Sequence, residues 1–187
     1  MVFPPLVPVA APTPRLDKVT MNYFPPDMNS SADTAAPFLP HAGAIALSYD
    51  ASEERRLFGF DESDENTRPF NLLRTQVARM MDESGYRLIG ITSPTPAAGK
   101  TYVSLNLAAA MANLNNRPVI LCDLDLRRGS VREILDREPP TDLSAYLRGE
   151  ASDWSDALYR IEGTCLYVAP CVPHPRGSSE LLSAPSF

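Results

Sequence analysis

The sequence predicts an α/β fold in which a parallel β-sheet is flanked by helices, and three observations support this prediction. Between residues 67 and 187, short apolar runs of strand length alternate with segments of helical periodicity. A Gly-Lys-Thr triplet at 99–101 lies between one such run and one such segment. Residues 1–66 instead hold nine prolines by position 40 and an acidic stretch at 61–65. This composition predicts a disordered arm ahead of one domain at 67–187.

The elements of the domain follow in chain order. Apolar residues at helical spacing predict a first helix, with Pro69 in its first turn and Gly85 as its stop. The run 88–91 predicts a short buried strand that leads into the Gly-Lys-Thr loop. Further helices are predicted over 101–114, 130–137, 141–148, 152–160 and 178–183, and further strands over 118–123 and 165–169. Two short apolar pieces of the arm, 23–24 and 43–47, could dock on the domain or on a partner.

Composition excludes some classes of function. The net charge of −6 argues against general nucleic-acid binding, which needs clustered Lys and Arg. No apolar run approaches the ~20 residues that span a bilayer, so direct membrane insertion is not expected. The sequence therefore predicts a cytoplasmic protein that reaches a membrane only through a partner.

The segment 93–101, Ser-Pro-Thr-Pro-Ala-Ala-Gly-Lys-Thr, resembles the phosphate-binding loop G-x-x-x-x-G-K-[ST]. Backbone N–H groups and the helix N-terminus of such a loop form an anion site. Lys100 is expected to reach the β- and γ-phosphates of a nucleotide, and the Thr101 hydroxyl to bind Mg²⁺. The predicted nucleotide-binding residues are Pro96, Ala97, Ala98, Gly99, Lys100, Thr101, Tyr102 and, from a later segment, Arg127.

Two residues of this loop depart from the motif. Pro94 stands where the motif has its first glycine, and Ala97 stands where a close relative would carry glycine. If position 97 needs a positive φ, alanine costs about 1–2 kcal/mol of strain there.

Two carboxylates form a second candidate cluster at the end of the strand predicted over 118–123. Asp123 and Asp125 alternate along the chain and point the same way, toward the sheet edge at which ligands bind in α/β folds. Paired carboxylates suit Mg²⁺ or the acceptance of a proton from an attacking hydroxyl. The predicted metal ligands are therefore Thr101, Asp123 and Asp125, and the predicted catalytic residues are Lys100, Asp123 and Asp125.

Together these segments resemble the bacterial tyrosine kinases of capsule and exopolysaccharide synthesis, a branch of the P-loop NTPases related to the partition and division-site ATPases. The resemblance rests on the loop at 91–101, on Asp-Leu-Asp-Leu-Arg-Arg at 123–128, on Phe-Asn-Leu-Leu-Arg-Thr at 70–75 and on the Ser-Glu-Leu-Leu segment that begins at Ser179. It implies a P-loop NTPase-like sheet, binding of ATP and Mg²⁺, and phosphoryl transfer to tyrosine. It also implies control of polysaccharide chain length with a membrane-embedded activator protein, at the inner membrane.

Several departures from the family keep alternatives open. A third motif, a hydrophobic strand that ends in Asp, is not found before Phe187, so only the N-terminal part of the kinase domain is expected. Of Arg68, Asn71 and Arg74, only the last agrees with the family's oligomerisation motif, which leaves self-association open. One alternative is a nucleotide-binding or regulatory module without catalysis. Another is a partition-type positioning ATPase, against which Thr95 stands in place of a signature lysine.

Overall fold

The computed structural model describes residues 39–47, 56–61, 64–114, 118–134, 140–174 and 176–183, which all fall in one compact unit, Thr34–Phe187. Strands and helices are mixed along the chain, in agreement with the α/β prediction. The strands are β1 (Gly43–Ile45), β2 (Val119–Cys122), β3 (Tyr159–Ile161) and β4 (Leu166–Ala169). The helices are α1 (Arg68–Ser84), α2 (Lys100–Asn113), α3 (Ser130–Ile134), α4 (Leu143–Leu147) and α5 (Ser178–Leu181). Short 3₁₀ turns occur at Phe58–Phe60, Glu65–Thr67 and Trp154–Ala157.

The four described strands form one sheet in the order β1-β3-β4-β2. β2 is parallel to β4, and β1 is parallel to β3, but β3 and β4 are antiparallel. The prediction of a wholly parallel sheet is therefore wrong at this one pair. Ile161 and Leu166 are joined by only four residues, which is too short for the crossover that a parallel pair needs.

Helix α2 packs on one face of the sheet because its apolar residues are mostly small. Leu105, Ala109 and Ala112 are buried in one cluster with the inward side chains of β4, Leu166 and Val168. A second cluster on the other side of β4 contains its alternate residues together with side chains of α4. All four residues of β4 are buried, so this strand is the centre of the core.

Most of the predicted elements are confirmed. α1 begins with Pro69 in its first turn and ends at Gly85, whose φ of 70° is left-handed. The helices predicted over 101–114, 141–148 and 178–183 are present as α2, α4 and α5, and the strands over 118–123 and 165–169 as β2 and β4. α3 covers the first part of the helix predicted over 130–137, and residues 135–137 lie outside the described residues.

Two predicted elements are wrong. The segment 88–91 has no regular secondary structure, and Leu88 is 90% exposed. A strand needs a neighbour for its backbone N–H and C=O groups, and within the described ranges none pairs with this segment. The segment 152–160, predicted as a helix, contains a 3₁₀ turn and then β3. The prediction failed because apolar runs this short do not distinguish a helix from a strand.

Part of the segment 1–66, predicted to be a disordered arm, is ordered in the structure. β1 lies within the apolar piece 43–47, pairs with β3, and contributes the buried Ile45 to the core. Leu57 is also buried in the core beside α2. The described residues before 67 thus pack on the domain, whereas the apolar piece at 23–24 lies outside the described residues.

No helix among the described residues combines the length and the apolar character that crossing a membrane requires.

Candidate functional site

The Gly-Lys-Thr triplet begins helix α2, as predicted. Gly99 has a φ of 84° and directly precedes the helix, and its carbonyl accepts the hydrogen bond of Val103 N–H at 2.9 Å. The N–H groups of Lys100, Thr101 and Tyr102 come before this first helical hydrogen bond, so they are the groups available to an anion. The preceding loop residues, 94–98, are exposed.

The loop that follows β2 brings its carboxylates to the start of α2. Lys100 Nζ lies 2.5 Å from Asp125 Oδ2, and both side chains are about three-quarters buried. The carboxyl end of β2 and the N-terminus of α2 therefore meet at one charged contact. This is the convergence that the sequence predicts for Asp125.

Asp123 is in a different environment. Its side chain is only 7% exposed, and its two carboxylate oxygens accept hydrogen bonds from Asp125 N–H and Val131 N–H, each at 3.0 Å. Burial raises the pKa of the Asp123 carboxyl, and these two hydrogen bonds oppose that effect only in part. The Asp123 carboxylate therefore links the start of the loop, at Asp125, to the first residues of α3, at Val131.

The loop is supported from the far side by residues that follow β4. The carbonyl of Asp125 accepts hydrogen bonds from Arg128 N–H and Gly129 N–H, both at 2.9 Å, and from the Cys171 thiol at 3.7 Å. Burial raises the pKa of Cys171 well above its usual range, so the group stays a thiol and remains a donor. The loop position thus depends on the segment after β4 as well as on β2.

Comparison with known proteins shows which proteins this chain resembles. EpsB of Ralstonia nicotianae, provisionally named a tyrosine-protein kinase, is 36% identical over 115 residues, which are 60% of this chain and 15% of EpsB. The solved tyrosine kinase domain of BceF superposes with a TM-score of 0.59 at 28% identity, covering 79% of this chain and 63% of that one. The chain is similar to bacterial tyrosine-protein kinases. No protein-family model matches it.

A second relative has a name that refers to transport. The succinoglycan biosynthesis transport protein ExoP of Rhizobium meliloti is 33% identical over 112 residues, which are 58% of this chain and 14% of ExoP. The chain thus spans about one-seventh of the length of these curated relatives of the tyrosine kinase family.

The structure of this chain brings only part of the predicted site together. Lys100 and Asp125 are in contact, and Asp123 lies behind them in the same loop. The ring of Tyr102 instead packs edge-on against Phe70, with centroids 5.5 Å apart, so only the backbone of Tyr102 is directed to the loop. Arg127 is exposed on the loop after β2.

Sequence reasoning missed the residues that hold the site in place. Asn106 is fully buried in α2, where its Oδ1 accepts Gly59 N–H at 2.7 Å and its Nδ2 donates to Arg56 O at 3.0 Å. A polar residue inside an otherwise apolar helix face is the signal that could have found it. Cys171 gave no such signal, because Asp125, whose carbonyl accepts its hydrogen bond, lies 46 residues earlier in the chain.

The residues fit a magnesium ion that arrives with a nucleotide. Among the described residues there is no cluster of three or more His, Cys, Asp or Glu that could form a cage made of protein alone. Mg²⁺ commonly binds one or two carboxylates and completes its shell with phosphates and water. Asp125 and Thr101, which adjoin Lys100, can supply that set, whereas both oxygens of Asp123 already accept backbone hydrogen bonds.

Replacing Ala97 by glycine is expected to stabilise the protein. Ala97 has a φ of 58°, so the condition under which alanine is strained at this position is met. Glycine removes the steric cost of about 1–2 kcal/mol, partly offset by its greater freedom in the unfolded chain. We expect the free energy of unfolding of Ala97→Gly, measured in urea, to rise by about 0.5–1 kcal/mol.

Ala98→Gly is the matched control for this prediction. It changes the neighbouring exposed alanine, whose φ is not positive. Here glycine only adds freedom to the unfolded chain, so the free energy of unfolding should fall by about 0.5–1 kcal/mol. The same sign for both variants would contradict the interpretation of Ala97 as strained.

Proposed function

We propose that this chain binds ATP with Mg²⁺ through the loop at 93–101 and acts as the ATP-binding part of a bacterial tyrosine kinase of exopolysaccharide or capsule synthesis. The observation that carries the proposal is the 2.5 Å contact between Lys100 and Asp125, because it joins the first turn of α2 to the carboxyl end of β2. The similarity to bacterial tyrosine-protein kinases supports the same function.

The residues present have separate tasks in phosphoryl transfer. Lys100 and the first N–H groups of α2 would hold the β- and γ-phosphates and neutralise charge that develops on them. Mg²⁺, when bound, would supply further charge stabilisation. Asp125 is the better placed of the two aspartates to meet the metal or to accept a proton from a tyrosine hydroxyl, because it is partly exposed while both oxygens of Asp123 are engaged.

We further propose that the protein works on the cytoplasmic side of the inner membrane with a membrane-embedded regulator of polysaccharide chain length. The transport role in the name of ExoP supports a place in polysaccharide export. Co-purification of the tagged chain with membrane fractions, only when the regulator is co-expressed, would be the expected result. Equal recovery without the regulator would contradict this part of the proposal.

The proposed ATP site is tested by changing Lys100 to methionine. Loss of the ammonium removes charge-assisted hydrogen bonds to phosphate of about 1.5–3 kcal/mol, so we expect ADP–Mg²⁺ to bind roughly ten- to hundredfold more weakly in calorimetric titration. Lys18→Met is the matched control, because Lys18 is the chain's other lysine. Equal affinity in wild type and Lys100→Met would refute the phosphate site.

A binding or regulatory module that transfers nothing is the second candidate. The hydrogen bonds of Asp123 favour it, because a carboxylate whose two oxygens accept backbone N–H groups is less available to accept a proton from tyrosine. Incubation with ATP labelled at the γ-phosphate separates the two candidates. Phosphotyrosine that disappears in Lys100→Met supports the kinase, and nucleotide binding without any phosphotyrosine supports the module.

A further inference from the structure

The contact between Lys100 and Asp125 occupies the group that a phosphate needs. Lys100 Nζ lies 2.5 Å from Asp125 Oδ2, and the two side chains are 27% and 22% exposed. A carboxylate and a phosphate offer the same kind of acceptor oxygen to an ammonium group. The lysine therefore already has an anionic partner before any nucleotide arrives.

Asp125 is held in this position by its backbone. Its N–H donates to Asp123 Oδ1 at 3.0 Å, which fixes the start of the loop. Its carbonyl accepts from Arg128 N–H, Gly129 N–H and the Cys171 thiol. With both backbone groups fixed, the side chain can leave Lys100 only by a rotation about its own bonds.

We infer that Asp125 is an intramolecular competitor for phosphate, which keeps Lys100 paired until a nucleotide and a divalent cation arrive together. The inference rests on the proposed ATP site and adds a form of regulation to it. A phosphate that binds Lys100 must either displace the carboxylate or share the ammonium group with it, and in both cases the carboxylate lies beside a group of the same charge. A cation that takes Asp125 removes this repulsion, so metal and nucleotide should bind cooperatively.

Amine labelling tests the competitor without metal or nucleotide. Lys18 and Lys100 are the only lysines of the chain, so acylation by acetic anhydride can be followed at both by mass spectrometry. Asp125→Asn should raise the labelling rate of Lys100 relative to Lys18 at least threefold, because the amine is no longer enclosed in an ion pair. Asp153→Asn, which changes an exposed capping aspartate elsewhere, should leave the ratio unchanged.

Binding of ADP with and without Mg²⁺ tests the coupling. In wild type, EDTA should weaken ADP binding at least tenfold. In Asp125→Asn, ADP without Mg²⁺ should bind at least threefold more tightly than in wild type, and most of the effect of Mg²⁺ should disappear. A residue that served only as a metal ligand would lose the Mg²⁺ effect without any gain in the metal-free state.

Either of two outcomes in Asp125→Asn would overturn the inference. One is an unchanged labelling ratio of Lys100 to Lys18, and the other is metal-free ADP binding that is no tighter than in wild type. Asp125→Ser, with its folding checked by circular dichroism, provides a second variant should the first not fold. Failure of the proposed ATP site looks different, since wild type and Lys100→Met would then bind ADP equally.

Discussion

Replacing Gly129 by alanine is expected to destabilise the protein by about 2–5 kcal/mol and to abolish nucleotide binding. Gly129 has a φ of 60°, where any β-carbon costs about 1–2 kcal/mol. An added Cβ would also lie 2.4 Å from the carbonyl oxygen of Cys171 and 3.1 Å from Pro173 Cδ. Relieving such overlap with backbone typically costs a further ~1–3 kcal/mol.

The functional part of this prediction follows from where Gly129 lies. Its N–H donates to the carbonyl of Asp125, so a shift at Gly129 moves the carboxylate that meets Lys100. We expect urea unfolding to report the loss of stability and calorimetry to report the loss of ADP–Mg²⁺ binding.

Gly163→Ala is the matched control for Gly129→Ala. Gly163 has a comparable φ of 73°, but nothing lies within 4 Å of an added Cβ. Only the conformational cost of about 1–2 kcal/mol should appear there, with nucleotide affinity unchanged. Equal losses in the two variants would show that close packing against Cys171 contributes nothing.

Replacing Asn106 by leucine is the second large effect that we expect. The change keeps approximate side-chain size but leaves Gly59 N–H and Arg56 O without the partner that Asn106 supplies. An unsatisfied buried polar group costs about 1–3 kcal/mol, so two should lower the free energy of unfolding by about 2–6 kcal/mol. Hydrogen exchange at the Gly59 amide should also accelerate.

Asn113→Leu is the control on the same helix. Asn113 donates to Gly59 O at 3.3 Å from a partly exposed position, so its loss should cost about 1 kcal/mol or less. If Asn106→Leu were as mild as Asn113→Leu, the 56–61 segment would not depend on the buried amide. Gly59→Ala tests the same packing of the 56–61 segment on α2 in another way. Its Cβ would lie 2.2 Å from the backbone carbonyl oxygen of Asn106, so this variant should also be destabilised.

The parts that could be predicted from sequence depend on local chemistry. Pro69 and Gly85 mark the two ends of α1. Proline is favoured in the first turn of a helix, and glycine is favoured at a C-terminal position with left-handed backbone angles. The contact of Asp125 with Lys100 agrees with the sequence prediction, because Asp125 follows the carboxyl end of β2, where ligands bind in α/β sheets.

The parts that could not be predicted depend on partners far along the chain. An apolar run at 88–91 predicts burial, but it does not show whether a neighbouring strand is present. The piece 43–47 carries too few residues for a periodic pattern, and it becomes a strand only because β3 offers an edge. Likewise, nothing local in Asp123 shows that each of its oxygens accepts a hydrogen bond from a backbone N–H group.

The pairing of β1 with β3 has a consequence for synthesis of the chain. Gly43 pairs with Tyr159, so an early segment takes its place only after more than a hundred further residues have been made. At the usual roughly 5–20 residues per second, the wait is on the order of ten seconds. Contacts this distant in sequence also slow folding, because a long loop must close before they form. During that interval the edge-forming segment is without its partner, which makes chaperone capture most useful at this stage.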